Sequence, residues 1–200
     1  MKDSETHKKL ETAKLLDAVK ENDLRLVRKA LLNGASLNGI NDVTPLGYAV
    51  QTQNKRMVHF LLTQGADVNK PHMDEKPLIH AIYTKNAEIA DELLRKGARA
   101  NESIGVKSPI DKYQITVKSP LIIAIETGAF EVAQALIHHG ADPMKFVWKN
   151  ENAFVTALDC NRGPEWVNLL KKNVKRPITR QHVEAAKRTI EIVRQRRYGE

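Results

Sequence analysis

The side chains that could do chemistry in this chain are few and scattered. The one cysteine, Cys160, falls in a predicted helix without an activating partner near it in the sequence. His138 and His139 lie at the end of another predicted helix, where consecutive side chains point apart. A charged histidine there interacts favourably with the helix dipole. Glycine-rich phosphate loops, Gly-x-Ser-x-Gly and His-Glu-x-x-His are absent from the sequence. We therefore expect no catalytic residue, no cofactor and no metal site.

Positive charge is the strongest chemical signal, and it is concentrated at one end. The net charge of the 200 residues is +8. Residues 171–200 hold ten Lys or Arg against three Glu, or +7, so the other 170 residues contribute +1. Such a segment can contact nucleic acid or an anionic membrane through phosphates, act as a nuclear-import signal, or form a solvated cap.

The basic segment has the pattern of a helix. Pro177 interrupts what precedes it, and Thr179 can cap a helix from about Arg180 to Arg197. Apolar residues lie three and four apart on one face, which predicts a capping helix within 174–200 packed on the last element. The basic patch that we expect on its other side is Lys187, Arg188, Arg194, Arg196 and Arg197.

A recurring phrase sets the architecture that must position all these residues. It begins at Gly34, Gly65, Gly97 and Gly140, and each copy reads Gly-Ala and follows a leucine-rich stretch. The steps are 31, 32 and 43 residues. A period of this length indicates a stacked repeat array, in which each helix pair buries its apolar face against its neighbours.

A second phrase opens each helix pair. It runs over 44–49 (Thr-Pro-Leu-Gly-Tyr-Ala), 76–81 (Lys-Pro-Leu-Ile-His-Ala) and 119–124 (Ser-Pro-Leu-Ile-Ile-Ala). Together the two phrases resemble the ankyrin repeat, whose opening is Thr-Pro-Leu-His-x-Ala and whose closing is Gly-Ala-Asp-x-Asn. The resemblance covers about residues 12–170. It implies an all-α repeat solenoid, an ankyrin-type stack of helix-turn-helix units with finger loops and a C-terminal capping helix.

We count five repeats after a polar N-terminal segment, 1–11. Their ranges are 12–42, 43–74, 75–116 with an insertion near 102–116, 117–151 and 152–173. The first lacks the Thr-Pro-Leu opening, which suits a cap. In the fifth, a helix can open at Asn152 or four residues later at Thr156, and Asn173 stands where the closing glycine is expected.

The opening phrase departs from the family at one position. Gly47, Ile79, Ile122 and Val155 stand where the family has histidine, and His80 is one place out of register. In the family, this histidine takes part in a hydrogen-bond network at the helix start. We expect a thinner network here, with apolar packing replacing part of it.

Two fingers depart from the regular pattern. The 43-residue step holds 11 more residues than the 32-residue one, and 106–110 and 117–121 are near-copies offset by 11. Residues 113–118 alternate apolar and polar, which predicts a strand in a longer finger with Lys112 and Tyr113 near its tip. It is either an idle loop or a binding finger. In the next finger, Phe146 and Trp148 either contact a partner or cover the fifth repeat.

The resemblance implies that the chain binds another protein through its fingers and the ends of its first helices. Mixed chemistry at these positions favours a folded protein or peptide over a small ligand. The expected partner-binding residues are Ile40, Asn41, Gln51, Lys70, His72, Met73, Tyr83, Lys112, Tyr113, Glu126, Phe146 and Trp148. The alternatives are binding of nucleic acid or an anionic membrane by the basic helix, and a bacterial ankyrin-repeat effector that acts on host proteins.

The sequence also bears on location. It has no apolar run long enough for a transmembrane span and no signal-peptide pattern at Met1–Glu5. A single cysteine excludes an internal disulfide and fits a reducing compartment. We expect an intracellular monomer in the cytoplasm, with the nucleus or, for an effector, the host cytoplasm as alternatives.

Overall fold

Helices form in pairs along the chain, in two compact bodies. The computed structural model describes residues 2–107, 115–145 and 152–174. The amino-terminal body is Met1–Arg99 and the carboxy-terminal body is Ala100–Glu200.

The amino-terminal body contains three helix pairs. The first helices of the pairs are α1 (Lys2–Lys20), α3 (Pro45–Gln51) and α5 (Pro77–Tyr83). The second helices are α2 (Leu24–Leu32), α4 (Lys55–Thr63) and α6 (Ala87–Arg95). Helix α1 runs through nearly all of the segment 1–11, so this polar stretch belongs to the first helix.

The described residues of the carboxy-terminal body form a hairpin and two helix pairs. The hairpin pairs β1 (Ile104–Lys107) with β2 (Ile115–Lys118) antiparallel, with Ile104 opposite Lys118 and Lys107 opposite Ile115. The helices are α7 (Pro120–Thr127), α8 (Phe130–His138), α9 (Ala153–Asp159) and α10 (Pro164–Lys172).

Local sequence explains where the helices begin. Proline is the first residue of α3, α5 and α7, where its missing N–H costs nothing. The hydroxyl of Thr44 accepts a bond from Gly47 N, and that of Ser119 accepts one from Ile122 N. Asp23, Asn54 and Asn86 cap the second helices α2, α4 and α6 in the same way.

The turn inside each pair repeats one backbone conformation. A single residue with positive φ lies between the two helices: Asn22, Gln53, Lys85, Gly128 and Asn161. The glycines of the closing phrase, Gly34, Gly65, Gly97 and Gly140, have φ between 85° and 93°. Glycine fits this left-handed conformation because it has no Cβ, so the phrase ends each second helix.

The core lies between neighbouring pairs in each body. In the amino-terminal body α1 packs on α3 and α3 on α5, while in the carboxy-terminal body α7 packs on both α8 and α9. The largest fully buried side chains are aliphatic and come from both helices of the pairs: Leu15, Leu46, Met57, Leu61, Ile79, Ile82, Ile89, Leu93, Leu121, Ile122, Ile123 and Ile125.

The fifth pair adopts the earlier of the two registers that its sequence allows. Helix α9 begins at Ala153, and the Asn152 side chain accepts bonds from Phe154 N and Val155 N. Trp166 of α10 is buried and makes an edge-to-face contact with Phe130. Asn173 is the C-cap of α10, and its backbone N–H donates to Leu170 O.

Candidate interaction surface

Two short fingers project from the amino-terminal body as tight hairpins. Finger one (residues 38–44) has the bridge Ile40–Val43 and the tip Asn41-Asp42, with φ of 49° and 62°. Finger two (residues 70–76) has the bridge His72–Glu75 and the tip Met73-Asp74, with φ of 50° and 70°. Positive φ at both central residues is the type I′ geometry, which matches the twist of a hairpin.

The tip of finger two is strained and apolar. Asn and Asp tolerate positive φ, but methionine rarely adopts it. Met73 nevertheless holds this conformation while 64% of it is exposed. Its N–H donates to Asp42 O at 2.8 Å, which joins finger two to finger one. The backbone therefore presents an apolar side chain outward at a cost in local energy.

Among the predicted finger residues that the structure describes, His72 is the buried one. It is 8% exposed, and its Nδ1 accepts a bond from Thr44 N at 3.0 Å. A Cβ added to Gly47 would lie 2.1 Å from the Cβ of His72. The imidazole thus fills the space that Gly47 leaves open in α3. The sequence predicted that His72 contacts a partner, but its side chain faces the interior of the protein.

The ends of the first helices form the second part of the surface. Gln51 and Tyr83 occupy equivalent positions at the ends of α3 and α5 and are exposed. The threonines that follow, Thr52 and Thr84, bond back to carbonyls three and four residues earlier. These caps fix the helix ends, so the exposed side chains project from a rigid support.

Sequence reasoning missed two half-buried side chains on the same helices. Tyr48 and His80 both occupy the fifth position of the opening phrase. The Nδ1 of His80 lies 2.8 Å from Glu75 Oε2, which ties α5 to finger two. Their shared position in the phrase was the available signal, since equivalent positions in a repeat point to equivalent faces.

In the carboxy-terminal body, Glu126 anchors the long hairpin. Its two carboxylate oxygens lie 2.6 and 2.7 Å from the Nζ of Lys118, at the end of β2. Both side chains are partly buried, which strengthens an ion pair relative to one in open solvent. Glu126 was predicted to contact a partner, but its carboxylate is engaged within the chain.

Arg162 is a further residue that the sequence did not reveal. Its Nε donates to Ile125 O at 2.8 Å and its Nη2 to Glu126 O at 2.6 Å. The guanidinium therefore satisfies carbonyls at the end of α7, where the helix dipole also stabilises a positive charge. It comes from the turn before α10, at a sequence distance that gives no local signal.

The remaining candidates from the fingers and the basic segment lie outside the described residues. These are Lys112, Tyr113, Phe146, Trp148, Lys187, Arg188, Arg194, Arg196 and Arg197, together with the predicted capping helix beyond 174. Among the others, Asn41 is exposed, whereas Ile40 and Lys70 are half-buried.

The histidine pair and the cysteine have the following surroundings. The rings of His138 and His139 meet edge to face with centroids 5.2 Å apart, so the expectation that they point apart was wrong. The reason is that α8 ends at His138 and His139 has left the helix. Cys160 is exposed as a residue, but desolvation of its thiol, and next the charge of Glu126, raise the pKa of that thiol, which disfavours the nucleophilic thiolate.

Two kinds of site are not found within the described ranges. Over residues 2–107, 115–145 and 152–174, no group of three or more His, Cys, Asp or Glu could hold a metal ion. No helix in the same ranges is both long and apolar enough to cross a membrane.

Comparison with known families agrees with this architecture. A model of three ankyrin repeats matches residues 15–104, and a single ankyrin repeat matches residues 118–145. The fifth helix pair lies beyond both matches. No curated protein matches the chain. The predicted class, an all-α repeat solenoid, is confirmed. Ankyrin repeats generally serve as protein–protein interaction modules. The chain belongs to the ankyrin repeat family.

Proposed function

We propose that this chain is a non-enzymatic adaptor or scaffold that binds a protein partner through its amino-terminal body. The observation that carries the proposal is the exposure of two large apolar side chains. Met73 at the tip of finger two is 64% exposed, and Tyr83 at the end of α5 is 43% exposed. Methionine and tyrosine are enriched in protein interfaces, where a few such residues supply most of the binding energy.

These two side chains belong to a wider surface of mixed chemistry. We define the recognition surface as Asn41, Gln51, Lys70, Met73 and Tyr83. It combines two large apolar groups, two amides and one cation, which suits the polar rim and apolar centre of a protein interface. Burial of about 800 Å² on each partner is typical of a stable complex, so further residues of the same face must contribute.

Rigidity supports the same proposal. The fingers are two-residue hairpins, finger two is bonded to finger one, and the helix ends carry threonine caps. A surface that is ordered before binding loses less conformational entropy when the partner arrives. An enzyme would need a cluster of reactive groups, whereas these residues offer contact area and hydrogen bonds.

Affinity capture with quantitative mass spectrometry tests the proposal. The wild-type chain is compared with a Met73→Ala/Tyr83→Ala variant, and Leu32→Ala is the matched control. Leu32 is 88% exposed on α2, outside the recognition surface. We expect the double variant to lose partners that the wild type and Leu32→Ala both retain. Equal partner profiles for all three chains would refute the recognition surface.

The charge of residues 171–200 supports a second candidate, binding of nucleic acid or an anionic membrane. Phosphate neutralisation by this +7 segment would make binding fall steeply as salt rises. The test is retention on DNA, RNA or anionic vesicles at low salt, with and without residues 177–200. Retention that the deletion abolishes supports this candidate, and absence of retention removes it.

A further inference from the structure

Three features of His72 bear on how finger two is held. It sits in a surface finger, yet it is 8% exposed. Its Nδ1 accepts the bond from Thr44 N, and its Nε2 is buried without a hydrogen-bond partner in the described part of the chain. Finger two is thus fastened to the start of α3 through one side of a titratable ring.

The fit of the ring depends on glycine at position 47. A Cβ there would lie 2.1 Å from the Cβ of His72 and 2.4 Å from its Cγ, well inside contact distance. The equivalent residues of the next two opening phrases, Ile79 and Ile122, are buried and fill this space from their own helices. In the second repeat, by contrast, the following finger supplies the side chain that fills this space.

Protonation is incompatible with this arrangement. A backbone N–H can only donate, so Nδ1 must be unprotonated to accept from Thr44. With a proton on Nδ1, both Nδ1 and Thr44 N would be donors, so the hydrogen bond between them could not form. The proton would also place a positive charge at the start of α3, where the helix dipole is positive.

The neighbouring charges do little to favour a protonated ring. His80 on α5 disfavours the charge on His72. The carboxylate of Glu75, in finger two itself, lies 2.8 Å from His80 Nδ1 and is directed to that ring. Asp42 and Asp74 belong to the exposed finger tips. The Thr44 hydroxyl accepts a bond from Gly47 N at 3.1 Å.

We propose that His72 is an acid-sensitive latch, which holds finger two against α3 when neutral and releases it when protonated. On release, the proton occupies Nδ1, the Thr44 bond is lost and the ring leaves the space above Gly47. Met73 is the next residue, and its strained backbone relaxes once the anchor is gone. The latch goes beyond the proposed function, because it places one contact residue under the control of pH.

Hydrogen exchange on the free chain tests the latch without any partner. The amides of Thr44 and Met73 are followed from about pH 7.5 to about pH 5.5, across the range in which histidine titrates, as protection factors corrected for intrinsic exchange. We expect protection to fall roughly tenfold at both amides, because each loses its bond when finger two detaches. Unchanged protection would overturn the latch.

Two variants assign the effect to His72. In His72→Asn the amide oxygen can accept from Thr44 N but does not titrate, so protection should stay constant with pH. His80→Gln removes the neighbouring histidine and should leave the fall in place. A fall that persists in His72→Asn, or that disappears in His80→Gln, would contradict the latch.

A direct titration keeps the test valid if His72→Asn does not fold. The ring signal of His72 in the wild-type NMR spectrum should titrate with the same midpoint as the loss of Thr44 protection. Different midpoints would show that another group controls the finger. Since no partner is present, failure here leaves the binding proposal standing, and failure of the capture experiment leaves the latch standing.

Discussion

Helices α3 and α7 begin in the same way but fill their interiors differently. Both have a hydroxyl cap, from Thr44 and Ser119, that accepts the N–H three residues later. In α7 that third residue is Ile122, which is 1% exposed and packs from its own helix. In α3 it is Gly47, and the space is filled by His72 from the next finger.

The difference shows that one repeat position can be filled by local or by distant residues. An isoleucine fills it from its own helix. The glycine and histidine pair makes α3 and finger two depend on each other, and it adds a group that a proton can change. Regular packing thus accounts for stability, and the exception couples a surface loop to the core.

The largest expected effect comes from truncating Ile122, the side chain with which α7 fills its own interior position. Ile122→Ala should lower the free energy of unfolding by about 2–5 kcal/mol, because it deletes buried methyl groups and leaves a cavity. Urea denaturation followed by tryptophan fluorescence measures this, since both tryptophans, Trp148 and Trp166, lie in the carboxy-terminal body. The exposed Gln134→Ala is the control. A loss below about 1 kcal/mol would mean that the position relaxes without a cavity.

A smaller effect is expected at the other end of α7. Arg162→Ala removes the donors to Ile125 O and Glu126 O and should cost about 2 kcal/mol, in the range of hydrogen bonds to charged groups. Arg162→Lys keeps the charge but not the two-pronged donor, so it should recover only part of the loss. The same urea titration decides the point. Full recovery by lysine would show that charge alone supports the helix end.

The smallest effect is the pH dependence of the amino-terminal body. Burial, and next the charge of His80, lower the pKa of His72 in the folded state below its ordinary value of 6.5. The unfolded chain therefore binds more protons between the two pKa values, and stability falls as pH drops below about 6.5.

Amide protection of Leu61, which is fully buried in α4, reports this loss. The dependence attributed to His72 should disappear in His72→Asn. It should also be absent from the fluorescence transition of the carboxy-terminal body, where Ile122 fills the corresponding position. Equal pH dependence in the wild type and His72→Asn would assign the effect to other groups.

Much of the fold follows from local patterns. Proline and hydroxyl residues mark the starts of α3 and α7, glycines mark the ends of the second helices, and alternation at 113–118 predicted the strand β2. Each of these signals lies within a few residues of the feature that it produces. Because each signal recurs in several repeats at the same spacing, the set identifies the fold although a single copy would not.

The candidate surface was less predictable, because exposure depends on distant residues. His72 looked like a finger residue, and only the vacancy at Gly47, 25 positions earlier, makes its burial possible. Arg162 donates to the carbonyl of Ile125, 37 positions away, and Lys118 forms an ion pair with Glu126. The sequence shows which residues stand on a finger, but not which neighbours engage them.

The most direct test of this account is a double-mutant cycle between Gly47 and His72, read from the amide protection of Leu61. In the wild-type background, Gly47→Ala should destabilise the amino-terminal body by about 1–3 kcal/mol, because the new methyl group overlaps the histidine. In the His72→Gly background, which removes the Cβ of residue 72 together with the ring, the same change should cost clearly less, and the difference between the two costs is the coupling energy. Equal costs in the two backgrounds would contradict the claim that His72 fills the interior that Gly47 leaves open.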